Sequence, residues 1–276
     1  MASSERILIT GATGTVGHVL VPLLKDKAQV TVLTRGPSVS GLPAGVKIVR
    51  GDLRGPDALA AVLDWYDAVF LVWPFADDHG LGDLVDLIAD RARRVVYLSS
   101  AALRDHEAQV EQLIKEGGLE WTFLRPRSFA SNALRWAEEI RSGQPVKEAF
   151  AAAGMAIVDP RDVASVAQRV LREDGHTGAA YELTGPEILS KTDQVRIIGE
   201  TIGRATRLEE ISVDTARRQM LGMGWPAGAV DEVLEAQAGL VYQPDAITPT
   251  IEAVLGERPH TFRSWVSDHI YHFKAP

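Results

Sequence analysis

Ile7-Leu8-Ile9-Thr10-Gly11-Ala12-Thr13-Gly14-Thr15-Val16-Gly17 is a short apolar run that ends in three glycines spaced by three. Behind it Val16, Val19, Leu20, Leu23 and Leu24 recur at helical spacing, so the stretch reads as strand, tight turn, helix. Glycine has no Cβ and accepts positive φ, which lets bare backbone approach a ligand closely. The N-terminus of the following helix carries unpaired N–H groups and partial positive charge, and its natural ligand is a phosphate or pyrophosphate. The spacing is G-x-x-G-x-x-G rather than the G-x-G-x-x-G of the commonest dinucleotide fingerprint, but the strand before it and the helix after it supply the context that the motif requires. Candidate nucleotide contacts here are Thr10, Gly11, Thr13, Gly14, Thr15, Val16 and Gly17.

Further along the chain, apolar strand-like runs alternate with helical patterns. Strands are expected at 30–33, 46–49, 68–72, 95–98 and 121–124, with helices at about 57–64, 80–91, 105–117 and 128–142. Near-continuous apolar strands between amphipathic helices imply a parallel sheet covered on both faces, an α/β doubly wound, Rossmann-like fold with its ligand site at the strand C-termini. Past residue 143 the alternation fades into a helix near 160–173, a strand near 179–184, and helices near 190–204, 212–223, 227–239 and 261–272. The expected division is a dinucleotide-binding domain over 1–145, with 150–185 returning to the sheet. Residues 186–276 then form mainly a smaller, mostly helical C-terminal substrate lobe.

The bulk properties narrow the class. The 276 residues, 46% hydrophobic and 24% charged, suit one large or two small globular domains. A formal net charge of −8 argues against a nucleic-acid partner. With no cysteine, thiolate metal sites, disulfides and a cysteine nucleophile are excluded. The polar start Met-Ala-Ser-Ser-Glu-Arg leaves no room for a signal peptide, and no apolar run approaches the ~20 residues that cross a bilayer. A cytoplasmic protein with no membrane partner is expected, monomeric or homodimeric. His260, His269 and His272 lie near the C-terminus, with His269 and His272 one helical turn apart, but Asp268 is poorly placed as a third close ligand, so no metal site is expected.

The strand ends are where chemistry is expected. The second strand decides between NAD and NADP: a carboxylate there bonds the ribose 2′-OH, an arginine accommodates a 2′-phosphate. The chain has Thr34-Arg35-Gly36-Pro37-Ser38, with no carboxylate. Arg35 offers a planar donor fork, and Thr34 and Ser38 add hydroxyls, so NADP(H) is the expected cofactor. Asp52, followed by Leu53, either accepts the adenine amine or caps the helix that begins near Pro56. Trp73-Pro74, Ser99-Ser100 and Arg125-Pro126 close the remaining strands. Ser99 and Ser100 either bond a substrate carbonyl or satisfy loop backbone.

Together these positions resemble the atypical short-chain dehydrogenase/reductases, specifically the NmrA-like group of NAD(P)-binding proteins. The resemblance rests on the glycine turn, Thr34-Arg35, Gly51-Asp52-Leu53 and Leu98-Ser99-Ser100. It continues through Gly118-Leu119-Glu120-Trp121-Thr122-Phe123-Leu124-Arg125-Pro126 with Phe129 and Asn132, Val158-Asp159-Pro160-Arg161-Asp162-Val163-Ala164, Tyr181 to Glu187, and Leu255 to Pro259 with Phe262 and Trp265. It implies that Arg125-Pro126 lies beside the nicotinamide, that Phe129 and Asn132 face the substrate cavity, and that 159–162 connects to the C-terminal lobe. The family's dehydrogenases use Tyr-x-x-x-Lys on the helix after the fifth strand. Here 101–118 hold no tyrosine and only Lys115, and Tyr97 lies inside the strand. Either the proton comes from solvent, or His106 or Ser100 supplies it; the competing reading of His106 is a surface histidine at a helix start. The resemblance therefore implies an NADPH-dependent reductase of a small apolar or aromatic, quinone-like or conjugated carbonyl compound, in a biosynthetic pathway or outside one. The alternatives are a dinucleotide-binding redox sensor without turnover and a non-redox isomerase or cyclase.

Overall fold

A computed structural model describes residues 5–36, 41–75 and 77–274; Pro37 and Ser38 lie outside the described residues. The chain divides into two compact units. The first holds the chain up to Arg127 together with Pro160–Leu183 and Pro249–Arg258; the second holds Ser128–Asp159, Thr184–Thr248 and the chain from Pro259 on. The expected boundary at 145 therefore moves back to 127, and the first unit also takes 249–258 from the expected C-terminal lobe.

In the first unit, β1 (Arg6–Thr10), β2 (Gln29–Thr34), β3 (Lys47–Arg50), β4 (Tyr66–Leu71), β5 (Ala92–Leu98) and β6 (Glu120–Pro126) alternate with α1 (Gly17–Leu24), α2 (Pro56–Ala60), α3 (Leu81–Arg91) and α4 (Asp105–Glu116). The chain then passes through the second unit as α5 (Ala137–Ser142), β7 (Val146–Glu148) and β8 (Met155–Ala156), and returns as α6 (Pro160–Arg172) and β9 (Ala179–Leu183). The sheet order is β3-β2-β1-β4-β5-β6-β9 with every pair parallel. Ile7, Ile9, Val32, Ala68, Phe70, Val96, Phe123 and Leu124 are all fully buried, as strands covered on both faces must be. The order reverses between β1 and β4, the switch point where such sheets hold ligands outside the strand C-termini. Helix α6 turns Val163, Ala164, Val166, Ala167, Val170 and Leu171 inward at helical spacing and packs against α1 and β4 to β6. The doubly wound α/β sheet and the helical C-terminal region are as expected.

The second unit continues with β10 (Ile188–Leu189), α7 (Lys191–Ile202), β11 (Leu208–Glu210), α8 (Val213–Gly222) and α9 (Ala227–Tyr242); α10 (Thr250–Leu255) belongs to the first unit and α11 (Phe262–Asp268) to the second. A capping box starts α7: Ser190 Oγ accepts the Asp193 N–H at 3.0 Å and Asp193 accepts the Ser190 N–H at 3.2 Å. The core of this unit gathers Trp136, Ile140, Met155, Ile198, Phe262, Trp265 and Phe273. Where a helix over 128–142 was expected, a 3-10 helix (Ala130–Trp136) precedes α5. The helix starts late because the backbone of 128–130 is committed elsewhere: Val158 N–H donates to Ser128 O and Ala130 N–H to Val158 O, both at 2.9 Å. Likewise α11 stops at Asp268, where His269 leaves helical geometry and its ring nitrogen lies 2.8 Å from Trp265 O.

Candidate nucleotide-binding site

The glycine turn sits where β1 meets β4. Thr10 Oγ1 accepts the Val72 N–H at 2.7 Å and reaches Phe70 O at 3.2 Å, pinning the two strand ends together. Gly11 has a φ of +65°, and an added Cβ would lie 3.0 Å from the Val72 side chain. Gly14 N–H closes the turn on Gly11 O at 2.9 Å. Gly17 leaves no space at all, since a Cβ there would stand 2.2 Å from Gly11 O and 2.7 Å from Ala12 Cα. Gly11, Thr13, Gly14 and Thr15 are exposed, whereas Val16 is buried at 1% and serves the core. The rim is thus open backbone; in the first turn of α1 the N–H groups of His18, Val19 and Leu20 already donate to Gly14 O at 3.1 Å and to Val16 O at 3.1 and 2.9 Å, so the open donors lie in the turn ahead of it. A cradle that side chains would fill and an outward-facing donor set fit a dinucleotide pyrophosphate.

At the end of β2, Thr34 is half-buried and its Oγ1 accepts the Gly36 N–H at 3.3 Å. Arg35 is exposed; its guanidinium lies 5.5 Å from the centroid of the Phe75 ring and makes no ion pair among the described residues. A second guanidinium, that of Arg54, stacks on the same ring at 3.9 Å, with Nη2 donating to both oxygens of Asp77 at 2.7 Å. Asp52 is exposed, and its Oδ1 accepts the Arg54 N–H at 3.0 Å, leaving the other oxygen uncommitted. Leu53 is buried in the core. Trp73 joins that core, its indole N–H donating to Asp77 O at 2.9 Å, and Pro74 is exposed. Sequence reasoning missed Arg54, whose one signal is its place directly after Gly51-Asp52-Leu53; the loop of Phe75 and Asp77 after Trp73-Pro74 reads from sequence as either a cofactor border or, by default, a solvated loop.

The ends of β5 and β6 are joined by a buried network. Ser99 Oγ donates to Glu111 Oε1 at 2.7 Å, and Arg125 Nε donates to the same oxygen at 2.9 Å while Nη2 takes the other. Glu111 is 1% exposed, and its hydrogen bond holds the Arg125 guanidinium above its ordinary pKa. Pro126 is buried, with its carbonyl accepting the Ala101 N–H at 3.1 Å. Ser100 Oγ accepts the Ala102 N–H at 3.2 Å, which leaves its proton to donate. In the same loop Leu103 is held at a φ of +40°, a costly conformation for a residue with a Cβ.

Helix α4 turns Glu107 and Glu111 inward, four residues apart. Burial pushes the Glu107 carboxyl up, but the hydrogen bond and charge of Arg104 and its own backbone N–H outweigh that and hold it low. Tyr97 is buried, and burial together with Glu107 and Glu111 raises its hydroxyl well above the usual range. His106 is half-buried, and its Nε2 is shut off from solvent without a hydrogen-bond partner. Asp105 is the first residue of α4, and the N-cap position falls on Arg104. Phe129 and Asn132 belong to the second unit: Phe129 is half-buried where the chain bridges to Val158, and Asn132 is exposed on the 3-10 helix. Among the described residues no group of three potential ligands is placed to hold a metal ion, and no helix is long and apolar enough to cross a membrane.

Comparison with known proteins follows the same geometry. Residues 11–174 match the model of an NAD(P)H-binding family. Among curated proteins, the (4-alkanoyl-5-oxo-2,5-dihydrofuran-3-yl)methyl phosphate reductase of Streptomyces griseus is 35% identical, covering 95% of this chain and 97% of that one. The NAD(P)H azoreductase of Xenophilus azovorans is 30% identical over 98% of this chain and 99% of its own. Among solved structures, the NADPH-dependent quinone oxidoreductase of Escherichia coli complexed with NADPH superposes with a TM-score of 0.82 at 21% identity, over 96% of this chain and 99% of that one.

Proposed function

This chain belongs to the NAD(P)H-binding family, in the NmrA-like group of atypical short-chain dehydrogenase/reductases, and we propose that within it the protein is an NADPH-dependent reductase of a quinone-like or conjugated carbonyl small molecule. The observation that carries the reading is the strand-end arrangement: an open glycine cradle beside a strand followed by an arginine that makes no ion pair among the described residues, instead of a carboxylate. The full-length relatives named as reductases support it.

In this reading the backbone of the turn from Gly11 through Thr13, Gly14 and Thr15 to Val16 and Gly17 holds the pyrophosphate, and Arg35, with Thr34 beside it, holds the 2′-phosphate. The free oxygen of Asp52 takes the adenine amine, and Leu53, Trp73 and Pro74 shape that end. Ser99, Arg125 and Pro126 border the nicotinamide, and Phe129 and Asn132 contact the substrate. Bound NADPH supplies a hydride. The chain's own task is to hold the acceptor close and let a proton reach the reduced oxygen or carbon. The reductase works without the Tyr-x-x-x-Lys pair. Ser100, through its uncommitted hydroxyl proton and with solvent replenishing it, or His106 passes the proton on. The protein acts in the cytoplasm, as a monomer or homodimer.

The test is calorimetric titration with NADPH and NADH, followed by NADPH oxidation assays on a panel of quinones, azo dyes and unsaturated lactones. Tighter binding of NADPH and oxidation with at least one acceptor class is the expected result. Tight binding with no oxidation by any acceptor would overturn the reductase reading in favour of a sensor.

A further inference from the structure

We propose that the second unit carries its own recognition cavity for a planar conjugated carbonyl compound, with the side-chain amide of Gln237 as the donor to the carbonyl oxygen. The proposal deepens the reductase reading and rests on it for the identity of the ligand, while the cavity itself stands on geometry.

A cavity of about 440 Å³ opens among α8, α9 and the segment from Arg135 to Ala149. That lies within the 300–1,000 Å³ of ordinary small-molecule sites. Its walls are apolar and aromatic. Helix α8 buries none of its residues, yet Ala216 and Met220, one turn apart on it, and Met223 just past its end line the cavity. Trp136, Trp225 and Leu234 complete the wall, with Met223 75% and Trp225 46% exposed. Thioethers and indoles together make an adaptable lining for a flat ring.

The polar floor gives the cavity its selectivity. Lys191 is 1% exposed, and its ammonium donates to Glu148 Oε2 at 2.8 Å, Ala149 O at 2.8 Å and Gln237 Oε1 at 2.7 Å. An ammonium has three donors and no acceptor, so all three are spent and the atom of Gln237 facing it must be the oxygen. The amide nitrogen is therefore turned away from Lys191, and it has no hydrogen-bond partner among the described residues. Glu148 is fixed in turn by Trp136 Nε1 at 2.7 Å and Arg135 at 2.9 Å, so the whole floor is held before any ligand arrives. A donor of fixed direction beside apolar walls suits a neutral carbonyl on a conjugated ring, because the orientation cost is already met.

The experiment is calorimetry on the full chain without nucleotide, using 1-indanone and its carbonyl-free counterpart indane. Wild type should bind 1-indanone about 3- to 10-fold tighter than indane, the worth of one neutral hydrogen bond. Gln237→Glu keeps an oxygen for Lys191 and removes the donor, so it should erase that preference while leaving indane affinity unchanged. Gln237→Leu should do the same if the added carboxylate perturbs folding, which melting curves would reveal. Equal binding of both compounds by wild type, or binding of neither, overturns the proposal. So does tighter binding of benzoate than of 1-indanone, since Arg135 and Lys147 would then be selecting an anion. Binding of 1-indanone by a protein that oxidises NADPH with no acceptor would leave the cavity standing and remove only the reductase reading.

Discussion

Replacing Arg35 tests the nucleotide assignment most directly. Its guanidinium is exposed, free of carboxylate partners among the described residues, and rests only on the Phe75 ring at 5.5 Å. A bidentate contact to a 2′-phosphate makes two charge-assisted hydrogen bonds, each worth about 1.5–3 kcal/mol when well shielded. Exposure and screening cut the pair to about 2–3 kcal/mol, which is roughly 30- to 150-fold in affinity. Arg35→Ala should therefore weaken NADPH by that factor and NADH by less than about 3-fold, because NADH offers no phosphate at that position. Arg35→Glu should weaken NADPH further by like-charge repulsion and hold or improve NADH, since a carboxylate accepts from the ribose 2′-OH. Phe75→Leu removes the cation–π support, worth about 0.5–1 kcal/mol at an exposed site, and should cost NADPH about 2- to 5-fold. Because Phe75 acts partly through Arg35, the double variant should lose less than the sum of the two. Calorimetry at two salt concentrations reads all of these. Equal losses for NADPH and NADH in Arg35→Ala would refute the 2′-phosphate assignment, whatever the size of the loss.

Other perturbations report on the scaffold. Gly17→Ala drives a methyl to 2.2 Å from Gly11 O, so it should cost about 1–3 kcal/mol and weaken nucleotide binding with it; an unchanged thermal melt and an unchanged NADPH affinity would show that the turn yields freely. Glu111→Gln keeps an acceptor for Ser99 but removes the charge facing Arg125, at a cost of about 2–4 kcal/mol by urea denaturation. Adding Arg125→Met should recover much of that loss, and no recovery would mean that Glu111 acts through something other than its partner. Burial lowers the pKa of His176, whose Nδ1 lies 2.8 Å from the Tyr181 hydroxyl, despite the opposing charge of Glu173. Below about pH 6.5 the unfolded chain then binds the proton more readily than the folded one, so stability rises with pH across that window and falls on acidification. His176→Gln should remove this slope from the pH dependence of the melting temperature, and an unaltered slope would assign it elsewhere.

What the sequence disclosed and what it hid follow from range. The glycine turn and its flanking elements are local, written in consecutive residues, and the parallel sheet follows from a repeated alternation of apolar strands and amphipathic helices. The Phe75 platform is different: Arg35, Arg54 and Phe75 come from three strand ends and meet only because β1 stands between β2 and β4. Glu111 was legible as one helix residue, but its role depends on β5 and β6 lying side by side, which places Ser99 and Arg125 over it. The two-residue strands β8 and β10 and the three-residue β7 and β11 are too short to show a period. The late start of the helix after Phe129 was hidden for the same reason, since its cause is Val158, about thirty residues downstream.

The inward face of α4 bears on which acceptors the protein can reduce. An isolated carbonyl reduced to an alcohol develops a strongly basic oxyanion, and catalysis there needs an acid already aimed at the oxygen. The inward i, i+4 pair on α4 supplies none: Glu111 is engaged with Ser99 and Arg125, Glu107 with Arg104, and the buried Tyr97 hydroxyl is made a weaker acid than an ordinary phenol. A quinone or an unsaturated lactone places no such demand. Conjugation spreads the incoming charge, the product anion is weakly basic, and a serine hydroxyl or water can protonate it after the hydride has arrived. Where Ser100 and solvent rather than His106 supply the proton, then, the carboxylate pair itself restricts the reaction to conjugated acceptors. A saturated ketone should remain unreduced even where it binds as tightly as a quinone, and turnover of such a ketone at a comparable rate would show that an acid reaches the site from elsewhere.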